Sequence, residues 1–162
     1  MTIAVGDTLP EATFLEKSAD GIAPVPSDAL LKGRRVVLFG LPGAYTGTCS
    51  TLHLPSFIRV ADRLRDKGID DIACVSVNDP HVMMAWGDGA GAQAAGIRML
   101  SDPASEFTLA LGLAFSNPGA GMFNRSKRYA LYAEDGVVKI LNLEANPGQC
   151  EISGGETMLD AL

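Results

Sequence analysis

The sequence predicts an α/β domain on a mixed sheet, parallel in the middle and antiparallel at one edge, flanked by helices. Three observations carry that expectation. Residues 35–40 and 71–77 are short continuous apolar runs with β-branched members, the pattern of strands covered on both faces. Between them Phe57, Val60, Ala61 and Leu64 recur at helical spacing among Arg59, Asp62, Arg63, Arg65 and Asp66, an amphipathic helix closed by Gly68. Strand, helix and strand make a right-handed crossover unit. Residues 128–134 and 137–142 are strand-like and joined by Asp135-Gly136, a pair suited to a two-residue hairpin turn.

The remaining elements are shorter. Asn78-Asp79-Pro80 opens a helix over residues 80–86, and Asp102-Pro103 precedes another over 105–111. Residues 156–162 form two helical turns that pack Met158, Leu159 and Leu162. No repeat, low-complexity tract or linker divides the chain, so one domain over residues 1–162 is expected.

Composition narrows the function. The 162 residues are 47% hydrophobic, enough for one core and too apolar for disorder. A net charge of −6 and no basic block in residues 1–16 argue against nucleic-acid and anionic-membrane partners. The apolar stretches around 36–42 and 109–115 are too short to span a bilayer, and residues 1–10 lack a basic start and a long apolar run, so a cytoplasmic, unprocessed chain is expected. Cys49, Cys74 and Cys150 are odd in number and form no CxxC pair, which favours reactive thiol chemistry over a disulfide framework.

Leu41-Pro42-Gly43-Ala44-Tyr45-Thr46-Gly47-Thr48-Cys49-Ser50 follows the first central strand and enters the amphipathic helix, where open α/β sheets bind ligands. A cysteine in the first helical turn meets free backbone N–H groups and the positive end of the helix dipole, which favour thiolate. Thr46 offers a hydroxyl able to donate to one oxygen and accept from another, which suits a two-oxygen substrate. Fold logic alone also allows Thr46 and Thr48 as ordinary caps and Cys49 as a packed thiol. His53, four residues after Cys49, could form a Cys-x3-His metal pair. Further ligands are missing and His81 has no zinc spacing, so no metal or cofactor is expected. Met83, Met84 and Trp86 read as core or subunit contacts, and the Gly/Ala-rich run from Gly87 lacks an intact GxGxxG.

The segment PGAYTGTCSTLHLP resembles the active-site segment of the peroxiredoxins, type II branch (mammalian type V). Their pattern Pro-x3-Thr-x2-Cys is met by Pro42, Thr46 and Cys49, and VGDTLPEATF, CVSVNDPHVMMAW, RYALYAEDGVVKILNLE and ETMLDAL are similar to other type II segments. The resemblance implies a thioredoxin-like fold, a homodimer, and a thiol peroxidase reducing hydrogen peroxide and alkyl hydroperoxides through a cysteine sulfenic acid. It serves antioxidant defence, with thioredoxin or glutaredoxin/glutathione as reductant. Cys49 would be the peroxidatic cysteine, Thr46 would orient the peroxide and Pro42 would shield the sulfenic acid. Arg128 would stabilise the thiolate and polarise the leaving oxygen, with Arg125 and Lys127 as rival cations. His53 would be a supporting polar group at the rim.

For resolving the sulfenic acid the candidates are Cys150, Cys74 or an external thiol. The spacing of Cys74 resembles the plant type II pattern, but its strand is expected to be buried. Cys150 follows Asn146-Pro147-Gly148-Gln149, an exposed and movable loop by composition, and the vertebrate branch resolves from a similar loop, so a Cys49–Cys150 disulfide is expected. The competing readings are a peroxide-sensing binding protein, in which oxidation of Cys49 alters an interface, and a protein disulfide oxidoreductase, which the missing CxxC disfavours.

Overall fold

Residues 36–39, Val-Val-Leu-Phe, carry no polar side chain for either face, and the computed structural model, which describes residues 1–162, buries all four completely. They belong to β3 in the succession β1 (Thr13–Ser18), β2 (Gly21–Pro26), α1 (Ser27–Leu31), β3 (Arg35–Gly40), a π-helical turn (Cys49–His53), α2 (Leu54–Asp66), β4 (Asp71–Ser76) and α3 (Pro80–Ala90). The chain continues through β5 (Arg98–Ser101), α4 (Glu106–Ala110), β6 (Ala114–Asn117), β7 (Met122–Ser126), β8 (Tyr129–Glu134), β9 (Val137–Leu143) and α5 (Gly155–Ala161). Seven strands form one sheet in the order β2-β1-β5-β4-β3-β8-β9, and β6 pairs with β7 separately.

β3, β4 and β5 are parallel, whereas β8 runs antiparallel to β3 and β1 antiparallel to β5. Antiparallel strands therefore flank the parallel centre on both sides, which corrects the expectation of one such edge. The missed side is built from β1 and β2, joined to the parallel centre through β5. β2 contains Pro24 and Pro26 and is mostly exposed, as an edge strand without a full hydrogen-bond ladder allows, and β5 has four residues, too few to show a period. β6, β7 and α1 were unsigned in the sequence for the same reasons of length and exposure.

Alternation along β3 divides the core. Val37 and Phe39 face α2, with Phe57, Val60, Ala61 and Leu64 buried as their spacing requires, and Met158 joins them with Leu159 and Leu162 packed alongside. Val36 and Leu38 face the other side, with Phe14 and Phe107. α3 runs past residue 86 to Ala90, opened by Asp79 accepting from the Val82 N–H. α4 is shorter than expected because Ser105 takes a left-handed φ of 59° just before it. Asp135 and Gly136 have φ of 50° and 77°, the hairpin turn their identities specify. No helix is long and apolar enough to cross a membrane.

Two local features shape the site. Pro55 has no N–H and cannot continue a regular helical ladder; ahead of it lies the π turn, in which the Leu54 N–H reaches the Cys49 carbonyl five residues back. Gly40 pairs with Tyr129, and a Cβ at Gly40 would lie 2.2 Å from Tyr129 Cε1. The close approach of the two strands at this point requires glycine.

Candidate active site

The chain leaves β3 through a turn that other elements clamp. The Thr46 hydroxyl donates to the Gly43 carbonyl (2.8 Å), the Ala44 N–H donates to Asn78 Oδ1 (2.9 Å), and Arg125 Nη1 donates to the Pro42 carbonyl (3.0 Å). Tyr45 is held at φ 63°, a left-handed conformation that is unfavourable for an aromatic residue and persists because its neighbours are fixed. Arg125 therefore braces the turn and does not bond the sulfur.

Cys49 is the third residue of the helical segment that starts at Gly47 and is completely buried. Its Sγ accepts from Arg128 Nη2 at 3.1 Å. Arg128 is 1% exposed, and its other bonds go from Nε to the Pro147 carbonyl (2.9 Å) and from Nη1 to His53 Nδ1 (3.0 Å). A buried guanidinium is destabilising unless it meets hydrogen-bond acceptors and a countercharge. Among these three partners only the Cys49 sulfur can become an anion. Arg128, although it directly precedes a strand, is therefore a buried member of this cluster and not a solvated surface charge.

His53 lies in the interior, fully buried, which corrects its expected place at the rim. Its Nε2 is 3.0 Å from the Ser153 carbonyl, which can only accept, so Nε2 carries the proton and Nδ1 presents a lone pair to Arg128. Burial, reinforced by the Arg128 charge and only partly offset by Ser153, lowers its pKa from 6.5 to about 3, so the ring is neutral. A cleft of about 380 Å³ opens beside this cluster, lined by Pro42, Thr46, Thr48, Phe115, Arg128 and Pro147 among others. The structure thus brings Pro42, Thr46, Cys49, His53 and Arg128 together.

The two remaining cysteines differ. Cys74 sits in β4 opposite Phe39, and burial, with the neighbouring Cys49 charge, pushes its thiol up. Cys150 is half-buried and its thiol is also raised, first by burial. Its loop is mostly exposed, as expected, but it is fastened where a movable segment was expected: Thr48 Oγ1 donates to the Gly148 carbonyl (2.8 Å), Arg128 holds the Pro147 carbonyl, and Glu144 accepts the Glu151, Ile152 and Ser153 N–H groups. Asn78, Glu144 and Ser153 were not singled out in the sequence, where isolated polar residues in turns carry no signal of long-range contacts.

The sheet, with a helix-start cysteine beside its central strand and a buried guanidinium on the sulfur, defines a cysteine-based redox enzyme of the thioredoxin-like class. Residues 4–159 match the Redoxin family model. The chain is 49% identical to peroxiredoxin-2E-2, chloroplastic, of Oryza sativa subsp. japonica, over 99% of this chain and 73% of that protein. It is 40% identical to peroxiredoxin-2B of Arabidopsis thaliana over 99% and 98%. Among solved structures, reduced Prx3 in complex with H2O2 from Vibrio vulnificus superposes with a TM-score of 0.93 at 48% identity, covering 99% of both chains. Peroxiredoxin 5 from Alvinella pompejana superposes with a TM-score of 0.85 at 31% identity, over 98% and 97%. The chain belongs to the redoxin family, as a type II peroxiredoxin. It is a thiol-dependent peroxidase.

Proposed function

We propose that Cys49 is the nucleophile of this peroxidase, and the observation carrying the assignment is the 3.1 Å bond from Arg128 Nη2 to its sulfur. The Cys49 thiolate attacks the terminal oxygen of a hydroperoxide. The S–O bond forms as the O–O bond breaks, sulfur is oxidised to the sulfenic acid, and the leaving oxygen departs as alkoxide or hydroxide and takes up a proton. Arg128 stabilises the thiolate and then the negative charge on the leaving oxygen. Thr46 orients the peroxide, and Pro42 shields the sulfenic acid. His53 supports Arg128.

Cys150 then attacks the sulfenic sulfur, a disulfide forms and water leaves. Cys150 is favoured over Cys74 because it lies in a loop, whereas moving Cys74 would break a central strand. Thioredoxin, or glutaredoxin with glutathione, restores both thiols. Hydrogen peroxide and alkyl hydroperoxides are the substrates, and the role is antioxidant defence in the cytoplasm, a reducing compartment suited to free cysteines. The resemblance to type II peroxiredoxins supports a homodimer, to be checked by sedimentation at micromolar concentration in both redox states.

Peroxide consumption with each donor in turn tests the reading. Repeated turnover with thioredoxin or with glutaredoxin and glutathione is the expected result. One stoichiometric oxidation without turnover by any donor would instead favour the peroxide-sensing alternative.

A further inference from the structure

Glu144 follows β9 and is a nearly buried carboxylate, 6% exposed, that forms no ion pair. One oxygen, Oε2, accepts the N–H groups of Glu151 (2.9 Å), Ile152 (2.9 Å) and Ser153 (2.7 Å) and the Ser153 hydroxyl (2.6 Å). Burial alone would push this carboxyl up, but the bonds from Ser153, Ile152 and Glu151 outweigh it and hold the pKa below the usual value. Three consecutive amides gathered on one anion fix the path of residues 151–153 as a side-chain cap fixes a helix end.

The far side of that path is the active site. The Ser153 carbonyl fixes the His53 tautomer through Nε2, and the Nδ1 lone pair this creates receives Arg128 Nη1. The next contact in the chain of bonds is Arg128 Nη2 on the Cys49 sulfur. The segment is also pinned beyond Ser153, where the Gly155 N–H donates to Ser56 Oγ (2.8 Å) and Ser56 Oγ donates to the His53 carbonyl (2.6 Å). Glu144 is tied directly to Arg128 as well, its backbone N–H donating to the Arg128 carbonyl at 3.0 Å.

We propose that Glu144 is a positioning residue for peroxide reduction, holding the Ser153 carbonyl against His53 so that His53 aims the Arg128 guanidinium at the Cys49 sulfur. Glu144 touches neither substrate nor sulfur. Without its carboxylate, residues 151–153 lose their common acceptor, the Ser153 carbonyl is released, and the imidazole is free to take the other tautomer. A proton on Nδ1 would face the Arg128 N–H and break the contact. Glu144 has this role only if Arg128 acts in the Cys49 reaction, as proposed above.

The test measures the second-order rate constant of reduced protein with hydrogen peroxide, alongside nitrogen NMR of the His53 ring. Glu144→Ala should slow the reaction by about 10- to 100-fold, short of full loss of a transition-state donor, and convert the single Nε2–H tautomer into a mixture. Glu144→Gln, which retains an accepting oxygen, should recover most of the rate and the tautomer signal. A Glu144→Ala protein with the wild-type rate, or one that is slow with an unchanged His53 signal, overturns the proposal. Should Glu144→Ala not fold, Ser153→Ala replaces it, with a rate decrease of about two- to five-fold and a shifted tautomer signal expected from losing one of the bonds to Glu144; an unchanged His53 signal there overturns the proposal. Arg128→Ala is measured in parallel. A wild-type rate in that variant removes the reading of Arg128 itself, whereas a slow Arg128→Ala beside a wild-type Glu144→Ala removes only the role of Glu144.

Discussion

Arg128 and Cys49 stand 79 residues apart, and the guanidinium Nη2 donates to the sulfur across 3.1 Å. The antiparallel pairing of β3 with β8 makes this possible. Its register sets Gly40 opposite Tyr129, so Arg128, one residue before Tyr129, is placed where β3 gives way to the turn that leads to Cys49. The strand pair thus delivers the guanidinium and the Cys49 sulfur to the same end of the sheet.

Replacing Cys49 with Ser should abolish peroxide turnover while the far-UV circular dichroism and the urea midpoint stay close to wild type, because the hydroxyl is nearly isosteric with the thiol. Turnover retained in that variant would remove Cys49 as the nucleophile.

The two arginines near the turn should separate. Arg128→Ala loses the donor to the Cys49 sulfur and, if Arg128 acts as proposed, should slow peroxide reduction by about 10²–10³. Arg125→Ala loses only the brace on the Pro42 carbonyl and should have the smaller effect. Stopped-flow fluorescence of Trp86, whose Nε1 donates to Ser50 Oγ (3.1 Å) beside Cys49, follows the reaction, and the reverse order of effects would exchange their roles.

Stability should fall with acid through the His53 titration. The folded pKa of about 3 lies below the ordinary 6.5, so the unfolded chain binds a proton over that window and the folded one does not. This contribution is fully present above pH 6.5 and is lost progressively towards pH 3, with a total on the order of 5 kcal/mol. Glu144, whose folded pKa is also lowered, adds loss in the same direction below the usual carboxylate range. Urea unfolding of wild type and His53→Asn across this range checks it: the variant's stability should change less with pH, and parallel curves would contradict the assignment.

Peptide mapping after one equivalent of peroxide should recover a Cys49–Cys150 disulfide in wild type and none in Cys150→Ser. A Cys49–Cys74 bridge, or Cys49 left as sulfenic acid, would refute resolution by Cys150. Because the Cys150 loop is fastened by Glu144, Thr48 and Arg128, disulfide formation should be slower than sulfenic acid formation.

Gly40→Ala should destabilise the protein by about 1–3 kcal/mol in urea titration, since the new methyl collides with the buried Tyr129 ring and forces the strands apart. Displacing Tyr129 also displaces Arg128 beside it, so the peroxide rate should fall with stability. An unchanged midpoint would show that the strand pair yields without strain.

Helix α2, strands β3 and β4, and the hairpin at Asp135-Gly136 were legible in the sequence because their signals are local: buried residues repeat at fixed spacing, and a turn needing positive φ takes particular residues. Cys49, Thr46 and Pro42 were legible for the same reason, lying within one turn. The second antiparallel flank escaped because β2 is exposed and interrupted by proline, β1 is mostly half-buried, and the four-residue β5 that joins them to the centre is too short to show a period, so no local pattern distinguishes them from loops. His53 was visible only as a neighbour of Cys49, and its buried position follows from the π turn ahead of Pro55 and the packing of Ser153 against it.

By itself the sequence determined the central α/β unit and the cysteine at a helix start, since both depend on contacts between near neighbours along the chain. Only the tertiary structure decided which arginine bonds the sulfur, that His53 is neutral and interior, and that the Cys150 loop is fastened through Glu144. Each of those is a hydrogen bond or a burial made by residues far apart in sequence. Strand register and packing fix such contacts, and the identity of either partner alone leaves them open.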